Sequence, residues 1–253
     1  MDRLIYTGLN ALANMRAQRV TQAQNLANQA VPGFRRDLSG AEAPKFLDAM
    51  GSLPTRAFQR PPDEMAFSEA QGFLERTGQE TDVAINGAGY FLVQPAEGDP
   101  ALSRRGDLRR DPEGILRDGA GAAMLGPDLQ PVEVPPFRRL HVTDLGELRI
   151  EPLDGAPGET VPAGVLATVL PDAGTVLAKG ADGHIRRADG TLPEPDQRAA
   201  IVQGALERSN VNPVEEMLAN IEMQRNFEIG LRTILSAREL DEAGSQLLRA
   251  PEA

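Results

Sequence analysis

The sequence predicts an α+β fold: a discontinuous helical domain built from paired, coiled-coil-like long helices at the two chain ends, with an all-β domain inserted between them. Apolar residues recur at helical spacing near each terminus, from Asp2 to Asn28 and from Pro213 to Leu248. Between them, short apolar runs alternate with Gly and Pro turns, the texture of a barrel or sandwich. The two helical stretches are remote in sequence, so they can pair only by lying side by side. The expected divisions are an N-terminal helix at 1–34, a connector at 35–71, a β-rich domain at 72–206 and a C-terminal helix at 207–253.

In the first helix Ile5, Leu9 and Leu12 recur at spacings of four and three, and Val20, Ala23, Leu26 and Ala27 continue the stripe. It must stop before Pro32-Gly33, because the residue preceding a proline is pushed out of helical geometry. Pro44, Pro54 and Pro61-Pro62 break the connector, leaving room for one short helix near Lys45–Met50. In the β region Val83 and Ile85 lead to Asn86-Gly87 and then Tyr90–Val93, which reads as a hairpin. Asp111-Pro112-Glu113-Gly114, Asp118-Gly119, Asp144–Gly146, Asp182-Gly183 and Asp189-Gly190 mark further turns.

The last helix has a clear start. Asn212 can cap it, Pro213 suits the first helical position, and Glu215 stands where a capping-box partner belongs. Val214, Met217, Leu218 and Ile221 form its first apolar face, followed by Phe227, Leu231, Ile234 and Leu235. At 1.5 Å per residue it spans about 54 Å. Both stripes are imperfect: Arg16, Gln224 and Gly230 stand at or near seam positions, and an interior Gly costs about 1 kcal/mol relative to Ala. Such helices need further neighbours, which adjacent subunits of a polymer supply.

Composition narrows the function. The chain of 253 residues carries a net charge of -11, which a phosphate backbone repels, so nucleic acid is not an expected partner. Arg35-Arg36, Arg104-Arg105, Arg109-Arg110 and Arg186-Arg187 are short basic pairs and read as solvated surface. The absence of cysteine removes disulfides, thiolate metal sites and cysteine nucleophiles together. No apolar run reaches the length of a membrane span, and the N-terminus lacks the pattern of a cleaved secretory signal. Neither membrane insertion nor that export route is expected.

Enzymatic chemistry finds little support. The two histidines, His141 and His184, have no metal-ligand spacing. Asp182 and Asp189 sit beside turn glycines and lack the alternating oxygen ligands of a calcium loop. Asp111 and Glu113 could in principle do acid–base work, but Asp-Pro-x-Gly is a turn sequence without it. No catalytic residue, cofactor site or metal site is expected. The reading from another class is a β-rich hydrolase of cell-wall glycan, which would need paired carboxylates or a metal constellation in a cleft.

Three motifs carry a resemblance. Ala23–Asn28 followed by Val31-Pro32-Gly33-Phe34 resembles the N-terminal signature of bacterial flagellar rod and hook proteins. Gly204–Met217 together with Gln224–Glu228 resembles their C-terminal signature, and Thr81–Phe91, Arg104–Asp107 and Asp111–Gly114 resemble their middle. Gln24 and Arg208 depart from the usual Asn and Gly. The opening Met1–Tyr6 and the chain length resemble the proximal-rod member more than the distal-rod or the longer hook member.

The resemblance implies a non-enzymatic subunit of the proximal rod in the periplasmic basal body, with a distal-rod or hook-type axial protein as the alternative. It implies helical self-assembly with other axial proteins, the distal rod protein among them, to transmit torque from motor to hook. Export would pass through the flagellar type III apparatus. The expected assembly residues are Ile5, Leu9, Leu12, Asn25, Leu26, Asn28, Pro32, Gly33 and Phe34 near one end. Near the other they are Asn210, Asn212, Pro213, Met217, Ile221, Gln224, Phe227, Leu231 and Ile234. Asn25 and Asn28 can bond backbone where the first helix stops, and Gly33 allows a sharp turn there.

Overall fold

The computed structural model of the chain describes residues 2–38, 66–172 and 174–248. The short helix expected near Lys45–Met50 lies outside the described residues. The chain divides into two compact units. One comprises residues 1–27, 37–62 and 212–253, and the other residues 28–36 and 63–211.

The first unit contains helix α1, Asp2–Ala27, and helix α2, Pro213–Leu248. α2 begins at the predicted cap: Asn212 Oδ1 accepts from the Val214 amide at 3.1 Å, and Asn212 Nδ2 donates to Glu215 Oε1 at 3.0 Å. Glu215 and Glu216 place negative charge at the positive end of the helix dipole. No helix among the described residues is long and apolar enough to cross a membrane.

The second unit is antiparallel β structure. Its strands are β1 Leu74–Arg76, β2 Val83–Asn86, β3 Tyr90–Gln94, β4 Ala101–Ser103, β5 Arg109–Arg110, β6 Leu116–Arg117, β7 Ala123–Met124, β8 Phe137–Val142 and β9 Glu147–Pro152. They continue as β10 Val161–Val165, β11 Thr168–Val169, β12 Leu177–Lys179, β13 Ile185–Arg187, β14 Ala200–Gln203 and β15 Ala205–Glu207. The largest sheet runs β12-β13-β4-β3-β7-β6-β5, with β11 also on β3. A second sheet runs β10-β9-β8, and two ribbons pair β1 with β15 and β2 with β14.

β3 explains the two cores. Its side chains alternate between faces. Phe91 and Val93 join Ile85, Leu116, Met124, Leu148 and Ile150 in one cluster. Tyr90 and Leu92 join Leu102, Leu125, Val169 and Ile185 in the other. Both faces are covered, so the strand reads as an unbroken apolar run.

Two expectations are corrected. The chain is not built on paired long N- and C-terminal helices. Among the described residues the elements are mostly β strands, with one long C-terminal helix of 36 residues and a shorter N-terminal helix of 26. A coiled-coil seam would bury its apolar positions, yet Met217, Leu218, Ile221, Leu231 and Leu235 on α2 stand exposed. Nor do the runs flanking Asn86-Gly87 form a hairpin. β2 pairs with β14, while β3 pairs with β4, β7 and β11. The turn carries the chain from one sheet to another because Ala88 and Gly89 lengthen it beyond two residues.

Candidate assembly interface

The motif at Val31–Phe34 is held by a charged cluster in the β unit. The Val31 amide donates to the Asn28 carbonyl at 3.1 Å, closing a turn just past α1. The Gly33 amide then donates to the Glu207 carbonyl at 2.7 Å. Gly33 has φ +68°, and a Cβ there would lie 2.4 Å from the Arg104 carbonyl carbon. Only glycine fits a left-handed residue pressed against backbone.

Behind this contact lies a buried ionic cluster. Arg35 Nη1 is 3.0 Å from Glu207 Oε1, and Arg104 Nε is 2.9 Å from Glu207 Oε2, with side chains 1–3 % exposed. The Arg104–Glu207 contact is an ion pair without in-line hydrogen-bond geometry. Two guanidiniums share one carboxylate, so backbone oxygens must complete their solvation. Arg104 donates to the carbonyls of Gly89 and Gly87, both at 2.7 Å, and Arg35 donates to that of Ala70. Glu207 Oε1 also accepts from the Gly72 amide at 2.9 Å. Burial pulls the Arg104 pKa below the usual arginine value, and the Glu207 charge opposes that shift. Lys179 Nζ sits 3.7 Å from the Phe34 ring centre and donates to the Arg35 carbonyl at 3.0 Å.

Asn210 completes the site. Its Oδ1 accepts from the Arg36 amide at 2.6 Å, and its Nδ2 donates to the carbonyls of Ser68 and Ala70 at 3.1 and 2.7 Å. In the helical unit Asn25 does similar work. It is buried and makes a reciprocal pair with Asp37, donating to its carbonyl at 2.9 Å and accepting from its amide at 2.8 Å.

The helical unit presents a different surface. Val214, Met217, Leu218 and Ile221 share one face of α2 by their three- and four-residue spacing, and all are exposed, Ile221 by 63 %. Leu231 and Leu235, four apart, are exposed further along, as is Leu240. Soluble chains rarely leave so many large apolar side chains uncovered along one element.

Known proteins match in sequence. The profile described as "Flagellar basal body rod FlgEFG protein C-terminal" matches residues 202–247. The profile "Flagellar hook protein FlgE/F/G D1 domain" matches residues 84–178. The flagellar basal-body rod protein FlgF of Caulobacter vibrioides is 34 % identical, over 98 % of both chains. Those of Salmonella typhimurium and Escherichia coli are each 31 % identical, over 98 % of this chain and 99 % of theirs. The chain belongs to the flagellar basal-body rod protein family. It is a structural rod subunit.

Against that family's C-terminal segment, the profile covers both Glu207 of the ionic cluster and the exposed face of α2. Of the residues predicted to serve assembly, Gly33, Phe34 and Asn210 come together in the β unit. Met217, Ile221, Gln224 and Leu231 are exposed on α2, Phe227 and Ile234 half-buried, and Asn212 and Pro213 form its start. Asn25 is buried, while Leu26, Asn28 and Pro32 are half-buried. The side chains of Ile5, Leu9 and Leu12 lie outside the described residues.

The solvated reading of Arg35 and Arg104 is corrected, since both are buried. Glu207, Arg35, Arg104 and Lys179 escaped sequence reasoning. One signal was available for Glu207: in β15 it follows the buried Ala205 by two residues and therefore shares its face.

Proposed function

We propose that this chain occupies the proximal rod and joins neighbouring axial subunits through the exposed apolar face of α2. The observation that carries this reading is the uncovered row Val214, Met217, Leu218 and Ile221 on a 36-residue helix. Fully burying one such side chain yields about 1.5–3 kcal/mol, so four of them supply much of the driving force for a standard interface. A heterologous contact that does not close on itself builds a helical filament, the form a torque-transmitting rod requires. The full-length similarity to proteins named for the basal-body rod supports the location. In this reading the subunit is not an enzyme, its partners are other axial proteins, including further copies of itself or the distal rod protein, and it leaves the cell interior through the flagellar export apparatus.

The test places Ile221→Asp or Leu231→Asp in a strain lacking the native copy. The expected result is loss of motility and truncated rods, with the purified variants keeping the thermal transition of the β unit. Normal swimming in both variants would show that this face is not the interface.

A further inference from the structure

Asn86-Gly87 is the one Asn-Gly step in the sequence, and Asn86 is exposed. Such a step is chemically labile because glycine offers an unhindered amide nitrogen to the preceding side chain. The nitrogen of Gly87 gives up its proton and bonds to Asn86 Cγ, while the Cγ–Nδ2 bond breaks and ammonia leaves with that proton. Water then opens the succinimide to aspartate or isoaspartate.

We infer that Gln71 holds Asn86 back from this modification. Its side chain brackets the asparagine: Gln71 Nε2 donates to the Ile85 carbonyl at 3.0 Å, and Gln71 Oε1 accepts from the Gly87 amide at 3.1 Å. The attacking nitrogen therefore keeps its proton in a hydrogen bond and faces Gln71. Two further restraints act on the same peptide. Asn86 pairs with Ala200 in the β2–β14 ribbon, and the Gly87 carbonyl accepts from Arg104 Nη2 at 2.7 Å.

The consequence of modification reaches the ionic cluster. Isoaspartate inserts a methylene into the backbone and adds a negative charge beside the carbonyls of Gly87 and Gly89. Those carbonyls solvate Arg104, which pairs with Glu207. Asn86 is thus a modification site whose conversion would loosen the support of Gly33, and Gln71 is the residue that suppresses it.

The experiment incubates the purified full chain at mildly alkaline pH and follows isoaspartate and aspartate at residue 86 by peptide mass spectrometry. Gln71→Ala is expected to deamidate Asn86 about five- to thirtyfold faster than wild type, the effect of losing one or two hydrogen bonds. Gln71→Glu keeps an acceptor for the Gly87 amide and is expected to accelerate less than Gln71→Ala. Amide exchange of Phe91–Val93 should stay unchanged in both variants. Equal rates for Gln71→Ala and wild type would overturn the inference. So would faster exchange in β3 accompanying the faster deamidation, because general unfolding would then explain it.

Discussion

Replacing Glu207 by alanine removes the one carboxylate that two buried guanidiniums share. Three contacts go at once: the pairs with Arg35 and Arg104 at 3.0 and 2.9 Å, and the hydrogen bond from the Gly72 amide at 2.9 Å. Breaking a buried ion pair by deleting one partner costs about 3–5 kcal/mol, chiefly because the remaining charge is stranded away from water. In a chain of this size each kcal/mol lowers Tm by about 2–4 °C, so Glu207→Ala should lower it by roughly 6–20 °C. Near-ultraviolet circular dichroism can follow this transition. Of the two tyrosines, Tyr90 lies in the β unit, 5.7 Å from the Arg104 guanidinium carbon. Adding Arg35→Ala to Glu207→Ala should then cost less than Arg35→Ala alone, because the charge it removes already lacks its partner. A Tm within about 2 °C of wild type, or strictly additive losses, would refute the view that this cluster stabilises the unit.

Two other perturbations test neighbouring features. Gly33→Ala places a Cβ 2.4–2.5 Å from Arg104 and Arg105 backbone atoms at a positive φ, so urea denaturation should show a loss of at least about 1–3 kcal/mol. Asp118 is shifted in the opposite sense to Glu80, Asp111, Asp182, Asp189 and Asp196. Burial raises its pKa above the ordinary aspartate value of 3.8, and the Ala122 and Ala120 amides only partly oppose that. A raised carboxyl pKa favours the folded state at low pH, and that contribution fades as pH climbs through the folded value. The urea midpoint of Asp118→Asn relative to wild type should therefore rise from pH 4 toward pH 7, and a constant difference would contradict the assignment.

Local chemistry was legible in the sequence, and long-range pairing was not. The start of α2 could be read from Asn212, Pro213 and Glu215 because a cap is written within four residues. The turn at Asp111–Gly114 was equally local, with the Asp111 amide bonded to the Ile115 carbonyl at 2.9 Å. The Asn86-Gly87 turn is legible but its strand partners are not, since pairing of β2 with β14 joins residues more than a hundred positions apart. Arg35, Arg104 and Glu207 fail for the same reason: each looks like a surface charge until the other two arrive. The apolar stripe of α2 shows that a face seeks cover but not which surface covers it, and its exposed side chains do not form the coiled-coil seam that the stripe suggests. The sequence places Asn25 where it can bond backbone, and it bonds the Asp37 carbonyl and amide.

The claim that the exposed face of α2 is the assembly surface can be tested directly, because the chain contains no cysteine. Ile221→Cys introduces a single thiol on that face. Rapid labelling by a thiol reagent is expected in the free chain, with strong protection in intact, isolated basal bodies. Equal labelling in both states would contradict it.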